Sequence, residues 1–372
     1  MIPIPIDHLL LLPDPTSKVV AMEIAAPLPK LTRMELADVQ VLGQLIAHEN
    51  AQYTRGKMRF IVAGATDDVH FDVTEDHLRL SLSVPKSDET IGLSLLTALL
   101  TEPLISDATV AEAKQSLVQA RQSAWQIVLA PQAGNIQKVR ASEVLRLYHT
   151  VLRPDRIFIG LGGNVDASTE KKLRDRLADW TQPKAERPSL TAPSGPAPDT
   201  IHPPVQVLRG PAITASHPAF SAHVLAAFAL GIGKGASVFR VWREAHAWSY
   251  LQECEISGSQ DGFHLLTWLS PNEELKPADL GKALADDIAQ WTESDRQRAV
   301  GMAESVLLRG LDLSPFCFSS RGRLSDSLAD RTFLGVYWRM KTGSDWNSRG
   351  ILESLKKVTL EELKQAALAE LP

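Results

Sequence analysis

Alternating apolar and polar positions in two stretches of the chain predict β-strands. Residues 71–84 are predicted as one strand. Its apolar positions, which share one face, are Leu78, Leu80, Leu82 and Val84. Residues 250–269 are predicted as a hairpin.

Helical periodicity follows each of these stretches. In the first half, residues 89–102 form one predicted helix, and a second begins near Asp107. In the second half, residues 277–291 and 294–310 form another pair, with Leu280, Leu284, Ile288 and Trp291 in register. The order strand, strand, helix, helix therefore recurs, which favours an α+β fold with two similar domains. Each domain is predicted to have a mostly antiparallel sheet with helices on one face.

Apolar periodicity is lost between the two halves. Residues 184–204 are rich in proline, serine and alanine and are predicted to be a linker. A chain of 372 residues has the length of about two domains. The predicted domains are therefore residues 1–183 and 205–372.

The composition is that of an ordinary globular protein, with 44% hydrophobic and 22% charged residues. The net charge of −5 and the absence of long basic runs give no support to nucleic-acid binding. Only four consecutive leucines lie near the N-terminus, without a basic region, so neither a signal peptide nor a membrane anchor is expected. No segment approaches the ~20 apolar residues of a membrane span. A cytoplasmic protein without membrane contacts is predicted.

Several segments of the chain resemble those of one known family. They are residues 9–24, 38–54, 97–117 and 148–180, and most specifically 231–250, GIGKGASVFRVWREAHAWSY. This chain resembles the peptidase M16 family, the pitrilysin, insulinase and processing-peptidase group. The resemblance implies two homologous α+β domains that form half of a clamshell. It also implies a second chain that closes a chamber around a peptide substrate.

The zinc motif of that family is missing. In His-x-x-Glu-His, two histidines at i and i+4 bind zinc and the glutamate activates water. The corresponding positions here are Val41, Gln44 and Leu45, and Glu112 is the only acid on the helix where a further ligand belongs. We therefore expect no metal and no cofactor in this chain. Zinc is expected in a partner subunit that carries the complete motif. The neighbouring His48 and Glu49 point in different directions on a helix and are better explained as solvent-facing residues.

A second set of functional residues of that family has counterparts in this sequence. Arg243 and Tyr250 are seven residues apart, like the family's Arg/Tyr pair that faces the zinc across the chamber. A tyrosine hydroxyl can stabilise an oxyanion, and a guanidinium can hold a carbonyl or carboxylate. Alternatively, Arg243 is a surface cation at a helix end and Tyr250 a half-buried strand aromatic. His246, Ala247 and Trp248 stand where the family commonly has a basic residue, glycine and leucine.

Two glycine-rich segments have structural explanations. Gly231, Gly233 and Gly235 lack the Gly-Lys-Ser/Thr ending of a phosphate loop, and a turn with positive φ is the better explanation. Residues 160–163 follow a predicted strand, and packing explains them without a ligand.

Two functions follow. The first is a zinc-less subunit of a heterodimeric M16-type metallopeptidase, which contributes Arg243, Tyr250 and half of the chamber to the partner. The alternative is a catalytically inactive M16-like protein that binds peptides or acts as an assembly scaffold.

Overall fold

The structure is a computed structural model that describes residues 4–66, 68–119, 134–180, 205–309, 315–318, 323–369 and 371. Its contacts divide the chain into two compact units. The first contains the described residues up to 180 together with Ser327–Asp345, and the second contains the remaining described residues from 205 onwards. The predicted second domain, 205–372, thus includes a segment that packs in the first unit. The predicted linker, 184–204, lies outside the described residues.

The first unit is built on a five-stranded sheet with the order β1-β5-β2-β4-β3. Its strands are β1 (Leu9–Pro13), β2 (Val19–Pro27), β3 (His70–Val73), β4 (His77–Pro85) and β5 (Phe158–Gly163). Its helices are α1 (Arg33–His48), α2 (Arg55–Val62), α3 (Glu89–Thr101), α4 (Asp107–Gln119), α5 (Ala141–Val151), α6 (Ala167–Leu177) and, from the C-terminal half, α10 (Leu328–Thr342). Only β1 and β5 are parallel, so the sheet is mostly antiparallel, as predicted.

The second unit has an antiparallel sheet with the order β6-β8-β7. The strands are β6 (Gln206–Arg209), β7 (Ser249–Ser259) and β8 (Gly262–Pro271). The helices are α7 (Phe220–Gly231), α8 (Pro277–Ala289), α9 (Glu293–Arg309), α11 (Ser348–Lys356) and α12 (Leu360–Leu368), with a π-helical segment at Val238–Ala245. The predicted hairpin and the two helices that follow it are confirmed, and the side chains predicted in register are buried.

The stretch 71–84 is a hairpin of β3 and β4, so its prediction as a single strand is wrong. A turn over residues 74–76 separates the two strands. The Thr74 hydroxyl donates a hydrogen bond to the Asp76 carboxylate over 3.1 Å, which fixes this turn locally. The face predicted from Leu78 to Val84 is buried as expected. With this hairpin, the order strand, strand, helix, helix is present in both units.

Helices lie on both faces of the first sheet, so the prediction of helices on one face is wrong for this unit. The apolar face of β4 packs toward α1 and α3, whereas α10 contacts β1, β2, β4 and β5 from the other side. Glycines make the second face accessible to a helix. A Cβ added at Gly160 would overlap Val336, and one at Gly162 would overlap Thr332. The glycine-rich end of β5 is thus explained by packing, as predicted.

Buried ion pairs complete the contact with α10. The Arg79 guanidinium donates to the Glu23 carboxylate over 2.8 Å and to Asp330 over 3.0 Å. Its Cζ lies 4.0 Å from the ring centroid of Phe333. Because a buried charge is tolerated only when it is paired, these contacts explain how a polar sheet face can be covered. Along the sequence, a strand with such a covered polar face shows the same alternation of apolar and polar residues as a strand whose polar face is exposed to water.

The helices in the described ranges are all too short or too polar to span a lipid bilayer.

Candidate functional site

The first candidate region is the middle of α1. This helix begins at a capping box in which the Thr32 hydroxyl accepts from the Glu35 amide and Glu35 accepts in return. Val41 is fully buried and Leu45 is 5% exposed. Both belong to the apolar core of the first unit, and Gln44 is half-buried.

The donor set at these positions does not fit a zinc ion. Val41 and Leu45 have no ligand atom, and an amide such as that of Gln44 is a poor ligand for zinc. Glu112 of α4 is exposed to solvent. Within the described ranges, no three His, Cys, Asp or Glu side chains cluster as a metal site would require. The packing of α1 therefore accounts for Val41 and Leu45 without any ligand.

Asp38 is a buried acid on α1 that the sequence analysis missed. It is 4% exposed. The pKa of Asp38 is raised to about 7, mainly by burial and further by the nearby Glu143 carboxylate, and the Arg146 guanidinium opposes this rise only in part. No residue of the described part donates a hydrogen bond to its carboxylate. The sequence did contain a signal for this burial. Asp38 lies one helical turn before Leu42, which places the acid beside the apolar stripe of the helix.

The second candidate region is the π-helical segment Val238–Ala245, which a polar network anchors. Arg240 donates to both carboxylate oxygens of Asp287, over 3.0 and 2.8 Å. The Ser237 hydroxyl and the Trp291 indole also donate to Asp287, and Asp295 lies 3.6 Å from Arg240. Short π-helical stretches are often found at functional sites. The contacts of Arg240 with Asp287 and Asp295 hold this segment in place.

A tight turn leads from this segment into β7. Ala247 has a φ of 53°, in the left-handed region. The Trp248 amide donates to the Trp242 carbonyl over 2.8 Å, and the rings of His246 and Trp248 stack at 4.1 Å. The residue in this strained conformation is an alanine. Glycine would adopt this conformation without a steric penalty.

The structure brings Arg243 and Tyr250 together. The Arg243 Cζ lies 5.6 Å from the ring centroid of Tyr250 and 5.0 Å from that of Phe239. Arg243 is exposed and Tyr250 is 71% exposed. Among the described residues, no carboxylate pairs with Arg243 and none accepts from the Tyr250 hydroxyl. The alternative interpretation of Tyr250 as half-buried does not describe its position.

The preceding glycines have separate structural roles. Gly233 has a φ of 83°, which agrees with the predicted turn. Gly231 lies against β7, where an added Cβ would overlap the carbonyl of Cys254. A close approach of backbone explains this glycine, and no phosphate is needed.

The fold is similar to those of several solved bacterial proteins. A protease from Helicobacter pylori superposes with a TM-score of 0.73 at 12% identity, covering 96% of this chain and 92% of that one. A peptidase M16 inactive domain from Pseudomonas fluorescens has a TM-score of 0.71 at 14% identity, covering 98% and 92%. A conserved protein from Enterococcus faecalis gives 0.63 at 13%, covering 97% and 93%.

These likenesses show the fold at identities too low to assign an activity. The chain thus has a mixed α/β fold similar to that of M16 peptidase-like proteins. No family model and no curated relative matches the sequence.

Proposed function

We propose that this chain is the non-zinc-binding subunit of a heterodimeric M16-type metallopeptidase in the cytoplasm. It supplies half of a peptide chamber, formed by two homologous domains, together with Arg243 and Tyr250. The partner subunit carries His-x-x-Glu-His and the zinc ion, whose chemistry is the activation of water.

The contact between Arg243 and Tyr250 is the observation that carries this proposal. Both side chains are exposed, and neither has a polar partner among the described residues. A partly buried network around Arg240 holds the segment that presents them. A guanidinium can orient a bound peptide, and a phenol can donate a hydrogen bond to an oxyanion that develops on the scissile carbonyl.

The division of roles between two chains has a simple physical basis. Each chamber needs one metal site and one Arg/Tyr pair. A subunit that provides the pair is free to fill its own ligand positions with core side chains. Val41 and Leu45, both buried among apolar residues, fit this expectation.

Co-expression with a zinc-bearing chain tests the proposal. A chain with His-x-x-Glu-His and no Arg/Tyr pair, encoded beside this gene, is the partner to choose. We expect cleavage of an unstructured peptide by the complex and none by either chain alone. Tyr250→Phe should lower kcat/KM about a hundredfold, the usual scale for removing one oxyanion donor. Arg243→Ala should lower kcat/KM by weakening the binding of the peptide. Arg349→Ala, at an exposed arginine of α11, is the matched control and should leave turnover unchanged. Equal turnover by all variants would refute the role of the pair.

The second candidate is a catalytically inactive M16-like protein that binds peptides or acts as an assembly scaffold. The similarity to a protein described as an inactive M16 domain favours it. In this case, the chain needs no zinc-bearing partner and Arg243→Ala leaves assembly intact. The same co-expression distinguishes the two, because a scaffold gives a complex without Arg243-dependent cleavage.

A further inference from the structure

We infer that Arg243 binds a carboxylate group of the peptide, so that peptides with an acidic side chain or a free C-terminus are the preferred ligands. This inference rests on the proposed function and adds the chemical class of the substrate. It follows from the contrast between Arg243 and Arg240, two arginines in one π-helical segment.

Arg240 has its carboxylate within the chain. Its guanidinium holds both oxygens of Asp287 and lies near Asp295. Arg243 follows three residues later and has no such partner in the part of the chain that the structure describes. The segment therefore presents one neutralised guanidinium and one whose charge is uncompensated. An exposed positive charge of this kind favours a negatively charged group over a neutral carbonyl.

Two aromatic rings restrict the Arg243 side chain. Phe239 and Tyr250 both lie within cation–π distance of its Cζ. A guanidinium that is held in this way loses less side-chain entropy when it binds a ligand. Its N–H groups form a fork that matches the two oxygens of a carboxylate.

Tyr250 holds one side of the Arg243 guanidinium through its ring. Its hydroxyl has no acceptor among the described residues, and its ring contacts the same guanidinium. The turn at Ala247 and the stacked rings of His246 and Trp248 join the two elements that carry the pair. The positive fork of Arg243 is complementary to a carboxylate, which accepts only, and the Tyr250 hydroxyl stays available for the scissile carbonyl.

Three short Gly/Ser peptides test the inference. The first has a central Glu and blocked termini, the second has Gln in its place, and the third has Gln with a free C-terminal carboxylate. Peptide-observed NMR titrations with the full chain measure weak dissociation constants. We expect the Glu peptide to bind about tenfold more tightly than the blocked Gln peptide. The third peptide shows whether a terminal carboxylate is also accepted.

Variants of Arg243 test whether this residue causes the preference for the Glu peptide. Arg243→Gln should abolish it, and Arg243→Lys should retain only part, because lysine keeps the charge and lacks the fork. Arg349→Gln, which removes an exposed arginine of the same unit, should leave it unchanged. Far-UV circular dichroism of each variant confirms that it is folded.

The possible failures are distinguishable. Equal binding of the Glu and blocked Gln peptides that still depends on Arg243 would overturn the carboxylate preference and leave the peptide-binding function standing. A Glu preference that persists in Arg243→Gln would place the carboxylate elsewhere and overturn the inference. No binding of any peptide at millimolar concentration would refute the inference and count against the proposed function as well.

Discussion

The middle of α1 and the segment from Val238 to Tyr250 are the two candidate regions of the molecule, and they differ in how their side chains are packed. In α1, Val41 and Leu45 are buried in the core. In the other segment, Arg243 and Tyr250 are exposed and contact each other. Packing explains the first pair of residues, whereas the second pair makes its main contact with each other and stays open to solvent. Burial thus separates residues kept for stability from those available to a ligand.

The largest expected effect comes from restoring the histidines. The double variant Val41→His and Leu45→His should lower the free energy of unfolding by about 4 kcal/mol or more, because it puts two imidazoles into a packed apolar core. Urea denaturation measures this loss. Gln44→Ala, at the half-buried position between them, should change stability by about 0.5 kcal/mol and is the control.

A stable double variant that binds zinc would contradict this contrast between a buried and an exposed region. Such a result would mean that positions 41 and 45 face an accessible site.

A pH-dependent effect is expected from Asp38 on the same helix. Its pKa is raised to about 7 by burial, so the folded state holds a proton that the unfolded state has released above its ordinary pKa. This contribution to stability is therefore largest below about pH 4 and is lost as the pH rises to about 7. Asp38→Asn should be more stable than the wild type by about 4 kcal/mol at pH 8, with the difference vanishing near pH 4.

Thermal or urea unfolding of the wild type and of Asp38→Asn between about pH 4 and pH 8 measures how their difference in stability changes with pH. A difference between them that does not change with pH would show that Asp38 is well solvated.

A smaller gain is expected at the turn that precedes Tyr250. Ala247→Gly should stabilise the chain by about 0.5–1 kcal/mol, because glycine removes the left-handed strain although it increases the entropy of the unfolded state. Ala245→Gly, at the end of the π-helical segment, is the matched control and should destabilise. A loss of stability in Ala247→Gly would mean that this turn carries no strain.

The smallest effect should occur at the exposed pair. Arg243→Gln and Tyr250→Phe should each change the free energy of unfolding by less than about 0.5 kcal/mol. Their effect on stability is thus expected to be far below that of the changes in α1. A loss of several kcal/mol in either variant would show a structural role and weaken the case for a ligand.

Much of the fold could be predicted from periodicity. The hairpin of β7 and β8, the helix pairs and the buried face from Leu78 to Val84 were all predicted. The covering of the first sheet by α10 could not be predicted. Glu23 and Arg79 alternate with apolar residues as on a solvent-facing strand, and Asp330, which also pairs with Arg79, lies more than two hundred residues further along the chain. Local patterns do not contain such long-range pairing.

The site was only partly predictable. The spacing of Arg243 and Tyr250 identified the pair, and the structure brings the two side chains into contact. The π-helical geometry and the pairing of Arg240 with Asp287 were not visible, because they depend on contacts across 47 positions. Asp38 was missed because a single acid in an amphipathic helix resembles an exposed residue.

Zinc analysis of the purified complex tests the central claim most directly, with one copy of this chain and one of its zinc-bearing partner. We predict one zinc ion per pair of chains and none in this chain when it is purified alone in the presence of zinc. A tightly bound zinc ion in the isolated chain, lost upon substitution of residues in α1, would contradict the account.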